Sequence, residues 1–167
     1  MPFHEISAEE LKFNPFTLIR DEWMLVTAGD EQKCNTMTAS WGGLGELWSK
    51  IVSFIFIRPQ RYTMEFLESK EYYSLCFFDE SCRAALSYCG SHSGRDGDKI
   101  KAANLTPVFD EAAPYFAEAK LVFICRKLYK QTFDPTGFAD QALDSANYAK
   151  KDYHKMFVGG IEKILTK

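Results

Sequence analysis

The chain reads as a mainly β fold, an antiparallel sheet closing on itself with a few helices at its periphery. Three observations lead there. Segments of strand length, rich in β-branched and aromatic residues, recur at 23–28, 51–57, 72–78 and 119–129. Most of the segments are joined by short turns. Nowhere do strands alternate regularly with helical patterns of 10–15 residues, as they would in a doubly wound nucleotide fold. At 167 residues the chain is expected to form one domain, 1–167, with a core large enough to need no staples.

Taken in order, Trp23 to Ala28 is a strand ended by the turn pair Gly29-Asp30, and Lys33 to Ser40 returns antiparallel to it. The glycine-rich Trp41-Gly42-Gly43-Leu44-Gly45-Glu46-Leu47-Trp48 reads as a wide loop, with three glycines giving it mobility. Ile51 to Ile57 is the strongest β signal and is expected to be a central strand buried on both faces. Arg58-Pro59 ends it. Arg61 to Ser69 fits a short helix with Tyr62 and Phe66 turned inward, and Tyr72 to Phe78 is the next strand. A second helix opens at Asp79–Cys82, packs through Ala85, Leu86 and Cys89, and stops at Gly90. Asp98 to Asn104 is a third short helix. Ala119 to Tyr129 is a long strand, and a final strand lies near His154 to Ile161.

Composition excludes several classes of function. A net charge of −3, with scattered rather than clustered Lys and Arg, argues against nucleic acid as a partner. No apolar run approaches the length of a membrane span, and Met1-Pro2-Phe3-His4-Glu5 lacks the layout of a signal peptide, so no membrane is expected and a cytoplasmic location is the simplest reading. The five cysteines, 34, 76, 82, 89 and 125, form no C-x-x-C pair and read as reduced thiols. Cys76 and Cys125 sit inside apolar strands. Cys89 precedes a polar loop, which leaves a redox or ligand-contact role open for it. His4, His92 and His154 match no zinc spacing, so no metal is expected, and no Gly-x-Ser-x-Gly elbow supports a hydrolase.

Two segments present donors to a ligand. Asn35-Thr36-Met37-Thr38-Ala39-Ser40-Trp41 offers short donors and acceptors on an extended backbone. Thr36, Thr38 and Ser40 alternate with Met37 and Ala39, so a flat ring could lie against small side chains. Arg58-Pro59-Gln60-Arg61-Tyr62-Thr63 places two guanidinium groups three residues apart, able to close on a doubly charged phosphate. A planar cofactor ending in a phosphate needs both. Ser93-Gly94-Arg95-Asp96-Gly97-Asp98-Lys99 lacks the endings of a P-loop and of an EF-hand.

NTMTASWGG, IRPQRYT and CGSHSGRDGDK, in this order and spacing, resemble the flavin reductase-like family of FMN-binding split barrels, in its flavoredoxin-like branch; the resemblance runs from about residue 14 to residue 159. It implies a six-stranded antiparallel split β-barrel of Greek-key type and a homodimer with one non-covalent FMN per subunit near the two-fold interface. It also implies cofactor contacts at Asn35, Met37, Thr38, Ala39, Ser40, Trp41, Arg58, Arg61, Tyr62, Thr63, Ser93, Gly94 and Lys99, with Arg58 the principal phosphate arginine because it follows a buried strand. No side chain need act as acid or base, since the flavin carries the chemistry. Two functions follow from the resemblance. One is an NAD(P)H-dependent flavin reductase passing electrons to free flavin or another small-molecule acceptor; the other is a flavoredoxin-type electron carrier that does not itself react with NAD(P)H. Gly159-Gly160 departs from the acid that follows the first glycine in many relatives, which puts any dimer contact through the last strand in question.

Overall fold

The computed structural model describes residues 2–167. Its strands are β1 (His4–Ile6), β2 (Met24–Gly29), β3 (Cys34–Ala39), β4 (Gly42–Leu47), β5 (Lys50–Ile57), β6 (Tyr72–Phe77), β7 (Pro107–Val108), β8 (Tyr115–Phe116), β9 (Leu121–Thr132) and β10 (Lys155–Thr166). Its α-helices are α1 (Pro15–Thr17), α2 (Thr63–Ser69), α3 (Arg83–Ser91), α4 (Lys99–Ala102) and α5 (Gln141–Asn147). The main sheet has eight strands, in the order β3-β2-β6-β9-β10-β5-β4 with β1 added alongside β10, and β7 and β8 form a separate ribbon. Every pairing in the main sheet is antiparallel.

The sheet order shows that it must curl. β3 and β4 lie at its two ends, yet only Ser40 and Trp41 separate them in sequence. Three residue steps reach at most about 10 Å. The two ends therefore face each other across a narrow seam, which makes this a split antiparallel barrel. Gly42 starts the far side of the seam with φ +157°, and a Cβ there would lie 2.8 Å from the Phe54 carbonyl oxygen and 3.1 Å from Met24 Cε. Both its conformation and its close packing require glycine.

All six expected strands are present, and two more join them. Residues 42–47 form β4 instead of the expected wide loop, pairing with β5 from Gly42↔Ile55 to Leu47↔Lys50. Glycine gives little β signal. Here the Phe54 ring lies 3.7 and 3.8 Å from where Cβ atoms of Gly43 and Gly45 would be, so a cross-strand aromatic covers the bare backbone. β1 is three residues long and carries no alternation that would announce it. β5 is fully buried along the face of Ser53, Ile55 and Ile57, whereas on its other face Val52 is buried and Phe54 and Phe56 are half-buried. α3 runs through Gly90 to Ser91 rather than stopping before it. A 22-residue excursion between β9 and β10, which contains α5, was not legible as structure in the sequence.

Two apolar cores flank the sheet. Inside the barrel, Val26, Ile55, Ile57, Leu75, Phe77, Phe123 and Phe157 pack together, with Phe66 and Leu67 of α2 closing one end. Outside it, Leu25, Cys76, Val122 and Ile124 pack against Leu86 and Cys89 of α3, Ile100 of α4 and Phe116 of β8. All five cysteines are free, and Cys89 is fully buried in this outer layer, its thiol pushed to higher pKa by burial. The polar cleft expected to expose Cys89 does not reach its sulfur.

Within the inner layer Tyr73, fully buried, shares a 2.7 Å hydrogen bond with Ser53. Its hydroxyl fills the space beside Gly159, where a Cβ would lie 2.1 Å away. Gly160 faces outward instead, toward Leu128. Gly159→Ala is therefore expected to destabilise the fold by about 2–4 kcal/mol through overpacking and a broken buried hydrogen bond, read as a lower urea midpoint with an unchanged m-value. Gly160→Ala should cost less than about 1 kcal/mol, because the flexible end of Leu128 can move aside.

Candidate functional site

Two cavities open along β3, one beside Met37 and one just past its C-terminal end. That strand has β2 on one side and, among the described residues, no strand partner on the other, so its outer edge offers backbone donors and acceptors. One cavity, of about 210 Å³, is bounded by Met37 of β3, by Arg61, Tyr62 and Thr63 at the start of α2, by His92 and Ser93 from the loop after α3, and by Lys99 at the start of α4. The other, of about 670 Å³, begins at Ser40 and Trp41 and is walled mainly by Phe16, Phe56, Phe133, Tyr148 and His154. From Met37 to Ser40 is three strand residues, about 10 Å.

The smaller cavity is positively charged. Lys99 is buried, and its Nζ donates to the carbonyl oxygens of Cys89 at 2.9 Å and His92 at 3.0 Å. Arg61 donates from Nη1 to the Gly90 carbonyl oxygen at 3.2 Å. Among the described residues neither cation has an ion-pair partner, whereas Arg58, Arg83, Arg95 and Arg126 all do. Desolvation lowers the Arg61 pKa, and desolvation followed by the nearby Arg61 charge lowers that of Lys99 to about 8, despite the opposing influence of Cys89. Two cations held out of water beside each other, with N–H groups left over after the protein's own carbonyls are served, form a receptor for a doubly charged anion.

The loop that completes this cavity is held by a brace. Asn35 and Thr63 are both buried, and Asn35 Nδ2 donates to Thr63 Oγ1 at 2.8 Å, tying β3 to α2. Gly94 passes so close that a Cβ there would lie 2.1 Å from Asn35 Oδ1. Arg95 turns away, pairing with Glu65 at 2.6 Å and lying over the Tyr62 ring at 4.7 Å.

The larger cavity is aromatic, with one buried imidazole. His154 Nδ1 is 2.7 Å from the Tyr148 hydroxyl, and the ring lies 5.6 Å from Trp41, centroid to centroid. Burial, then the nearby Arg58 charge, push its pKa from 6.5 down to about 4, so the imidazole is neutral at pH 7. Arg20 is the charged group at the rim and is paired with Asp21 at 2.8 Å.

The structure brings most of the expected site residues to these two places. Met37, Arg61, Tyr62, Thr63, Ser93 and Lys99 meet at the anion cavity; Ser40 and Trp41 stand at the aromatic one, with Trp41 55% exposed. Thr38 and Ala39 lie between. The Thr38 hydroxyl donates to the Leu86 carbonyl of α3, and Thr36 bonds Thr27 at 2.8 Å, so this threonine face packs against the outer core and not against a ring. Arg58 stands outside the smaller cavity. Its guanidinium is consumed by Asp152 at 2.9 Å and by the Asn147 carbonyl at 3.0 Å, away from the anion cavity, and Arg61 stands there instead. Sequence reasoning missed Gln60 and His92 at the anion cavity and Phe133, Tyr148 and His154 at the aromatic one. His92 and His154 match no metal spacing and so gave no site signal, and the segment supplying the aromatics carries no periodic pattern.

The neutral state of His154 can be measured. Because its folded pKa lies below the unfolded value of 6.5, the unfolded chain binds this proton first; the stabilisation is complete above pH 6.5 and is lost as pH falls toward about 4. In NMR titration its imidazole resonances should stay in the neutral position down to about pH 5.

Among the described residues no helix is long and apolar enough to cross a membrane. No curated protein matches the chain. Solved structures share the fold. A flavin reductase-like FMN-binding domain from Shewanella baltica matches with a TM-score of 0.70 at 14% identity, over 99% of this chain and 77% of that one. A flavoredoxin from Methanosarcina acetivorans matches with a TM-score of 0.69 at 20% identity, over 96% and 76%. An NADH:FAD oxidoreductase from Streptomyces globisporus, in complex with NAD and FAD fragments, matches with a TM-score of 0.64 at 16% identity, over 87% and 80%. At these identities the likeness is one of fold. The family model described as "Flavin reductase like domain" matches residues 19–166, nearly the whole of the barrel, and the chain belongs to that family.

Proposed function

We propose that the protein binds FMN non-covalently and acts as an NAD(P)H-dependent flavin reductase, passing electrons on to free flavin or another small-molecule acceptor. The observation that carries this reading is the pair of uncompensated, desolvated cations Arg61 and Lys99 at one end of a free strand edge whose other end opens into an aromatic cavity. A phosphate fits the first place and a planar ring the second. Arg61 and Lys99 would hold the phosphate by charge-assisted hydrogen bonds, with the Thr63 hydroxyl, which already accepts from Asn35, donating its own proton. The edge of β3 would supply hydrogen bonds to the ring, and Trp41 and its aromatic neighbours would exclude water from it. When bound, the flavin supplies the hydride and electron chemistry.

The NADH:FAD oxidoreductase among the structural neighbours supports the reductase reading, and the flavoredoxin supports an electron carrier without nicotinamide chemistry. The size of the aromatic cavity favours the first, since about 670 Å³ leaves room for a second planar ligand. A homodimer is part of the proposal. Trp48 (56% exposed) and Tyr129 (45%), 6.3 Å apart in edge contact, give exposed aromatic surface suited to a second copy.

Three measurements test the reading. Arg61→Ala should weaken FMN by about 1.5–3 kcal/mol and riboflavin by much less, which titration calorimetry of the flavin-free protein resolves; equal loss for both ligands would point to a damaged ring pocket. Lys99 adds a pH signature. Its depressed pKa of about 8 means that FMN binding must raise it, so FMN affinity should fall as pH rises above 8 while riboflavin affinity stays flat. Anaerobic stopped-flow mixing with NADH or NADPH should bleach the bound flavin at a turnover-competent rate. If neither does so within minutes while dithionite does at once, the protein is a carrier and not a reductase.

A further inference from the structure

The 133–154 excursion between β9 and β10 builds much of the aromatic cavity, supplying Phe133, Tyr148 and His154. It is not a strand of the sheet, and its position depends on a few ties to the barrel. At its neck the Phe133 N–H donates to the His154 carbonyl at 3.0 Å, and Phe133 lies 5.6 Å from Phe56. The larger hold comes from the turn between β5 and α2. Arg58 follows Ile57, which is fully buried, so its backbone is fixed. Its Nη1 pairs with the Asp152 carboxylate at 2.9 Å, its Nη2 donates to the Asn147 carbonyl at 3.0 Å, and its guanidinium lies over the Tyr148 ring at 5.1 Å. Gln60 Nε2 adds a second bond to the same carboxylate at 2.9 Å. One turn thus reaches in two directions, with Arg61 in the anion cavity and Arg58 on the excursion.

We propose that Arg58 is a positioning residue for the second planar ligand and not a phosphate ligand. With Asp152 it clamps the excursion so that Phe133, Tyr148 and His154 stand as the wall that selects what reaches the ring site. An arginine fork on a carboxylate and a carbonyl fixes both direction and distance, which a lysine in its place would not. Tyr148, gripped from one side by the guanidinium, holds His154 Nδ1 from the other. His154 lines the cavity, and its Nδ1 is held by Tyr148. The clamp therefore sets both the shape of the wall and the direction of its one polar group.

The kinetic part of this inference rests on the flavin reductase reading; the structural part does not. Arg58→Ala, Arg58→Lys and Asp152→Asn are compared with the parent protein by hydrogen exchange, by FMN and riboflavin titration, and by steady-state kinetics with NADH. In Arg58→Ala and Asp152→Asn, amide exchange within residues 141–153 should rise about tenfold or more with the barrel strands unchanged. The ratio of FMN to riboflavin affinity should hold within about twofold, and KM for NADH should rise about tenfold with a smaller change in kcat. Arg58→Lys, which keeps the charge and loses the fork, should fall between. A tenfold loss of FMN preference in Arg58→Ala would make Arg58 a phosphate ligand and overturn the proposal; so would unchanged exchange in the excursion. If Arg58→Ala does not fold, Asp152→Asn, which leaves the guanidinium in place, decides the exchange result. A parent protein that takes up no FMN would refute the flavin reading, and the exchange result alone would then judge the clamp.

Discussion

The rest of the structure depends on a covalent constraint, the two-residue bridge Ser40-Trp41 that joins the first strand of the sheet order to the last. A flat seven-strand path cannot be crossed in about 10 Å, so the sheet must close into a barrel. Closing it gives the protein an inner core and leaves one edge of β3 without a strand partner. The same bridge places Ser40 and Trp41 at the mouth of the aromatic cavity. Gly42 is the local cost: in its place any side chain would meet the Phe54 carbonyl oxygen. Fold and site are thus set by one short connection.

Electrostatics then distinguishes the two ends of that edge. At the β3 end near Met37 the protein concentrates positive charge that it does not neutralise, and at the Trp41 end it buries a histidine that it keeps neutral. Neither arrangement favours the isolated fold near neutral pH to the extent that a paired lysine or an apolar core residue would. Both suit a ligand that is anionic at one end and flat and uncharged at the other. The β5–α2 turn links them, since Arg61 serves the anion end and Arg58 the wall of the aromatic end. The structure thereby separates two arginines that look alike in sequence.

Much of this was legible in the residues. The six longer strands follow from β-branched and aromatic runs, and the three matched segments name Arg61, Thr63, Ser93 and Lys99, which the fold gathers in one cavity. What was not legible has physical reasons. β4 depends on Phe54 covering Gly43 and Gly45 from the neighbouring strand, a contact that no local pattern encodes. Alternation in β3 shows that two faces exist and not which one is buried in which layer; Thr27 and the Leu86 carbonyl place the threonines in the outer layer. The pairing of Arg58 with Asp152 was not legible because its partner lies ninety-four residues away in sequence, in a segment without periodicity. The setting of His154 was hidden because Trp41 comes from the far end of the chain and Phe133 from the other end of a segment without periodicity.

The central claim is that the anion cavity of Arg61 and Lys99 and the aromatic cavity at Trp41 receive the two ends of one FMN molecule. It is tested most directly by heating the purified protein and identifying the released ligand by mass spectrometry, with the absorption spectrum recorded beforehand. The account predicts a yellow protein that releases FMN, close to one per chain, and no FAD. A colourless protein that takes up no added FMN would contradict it.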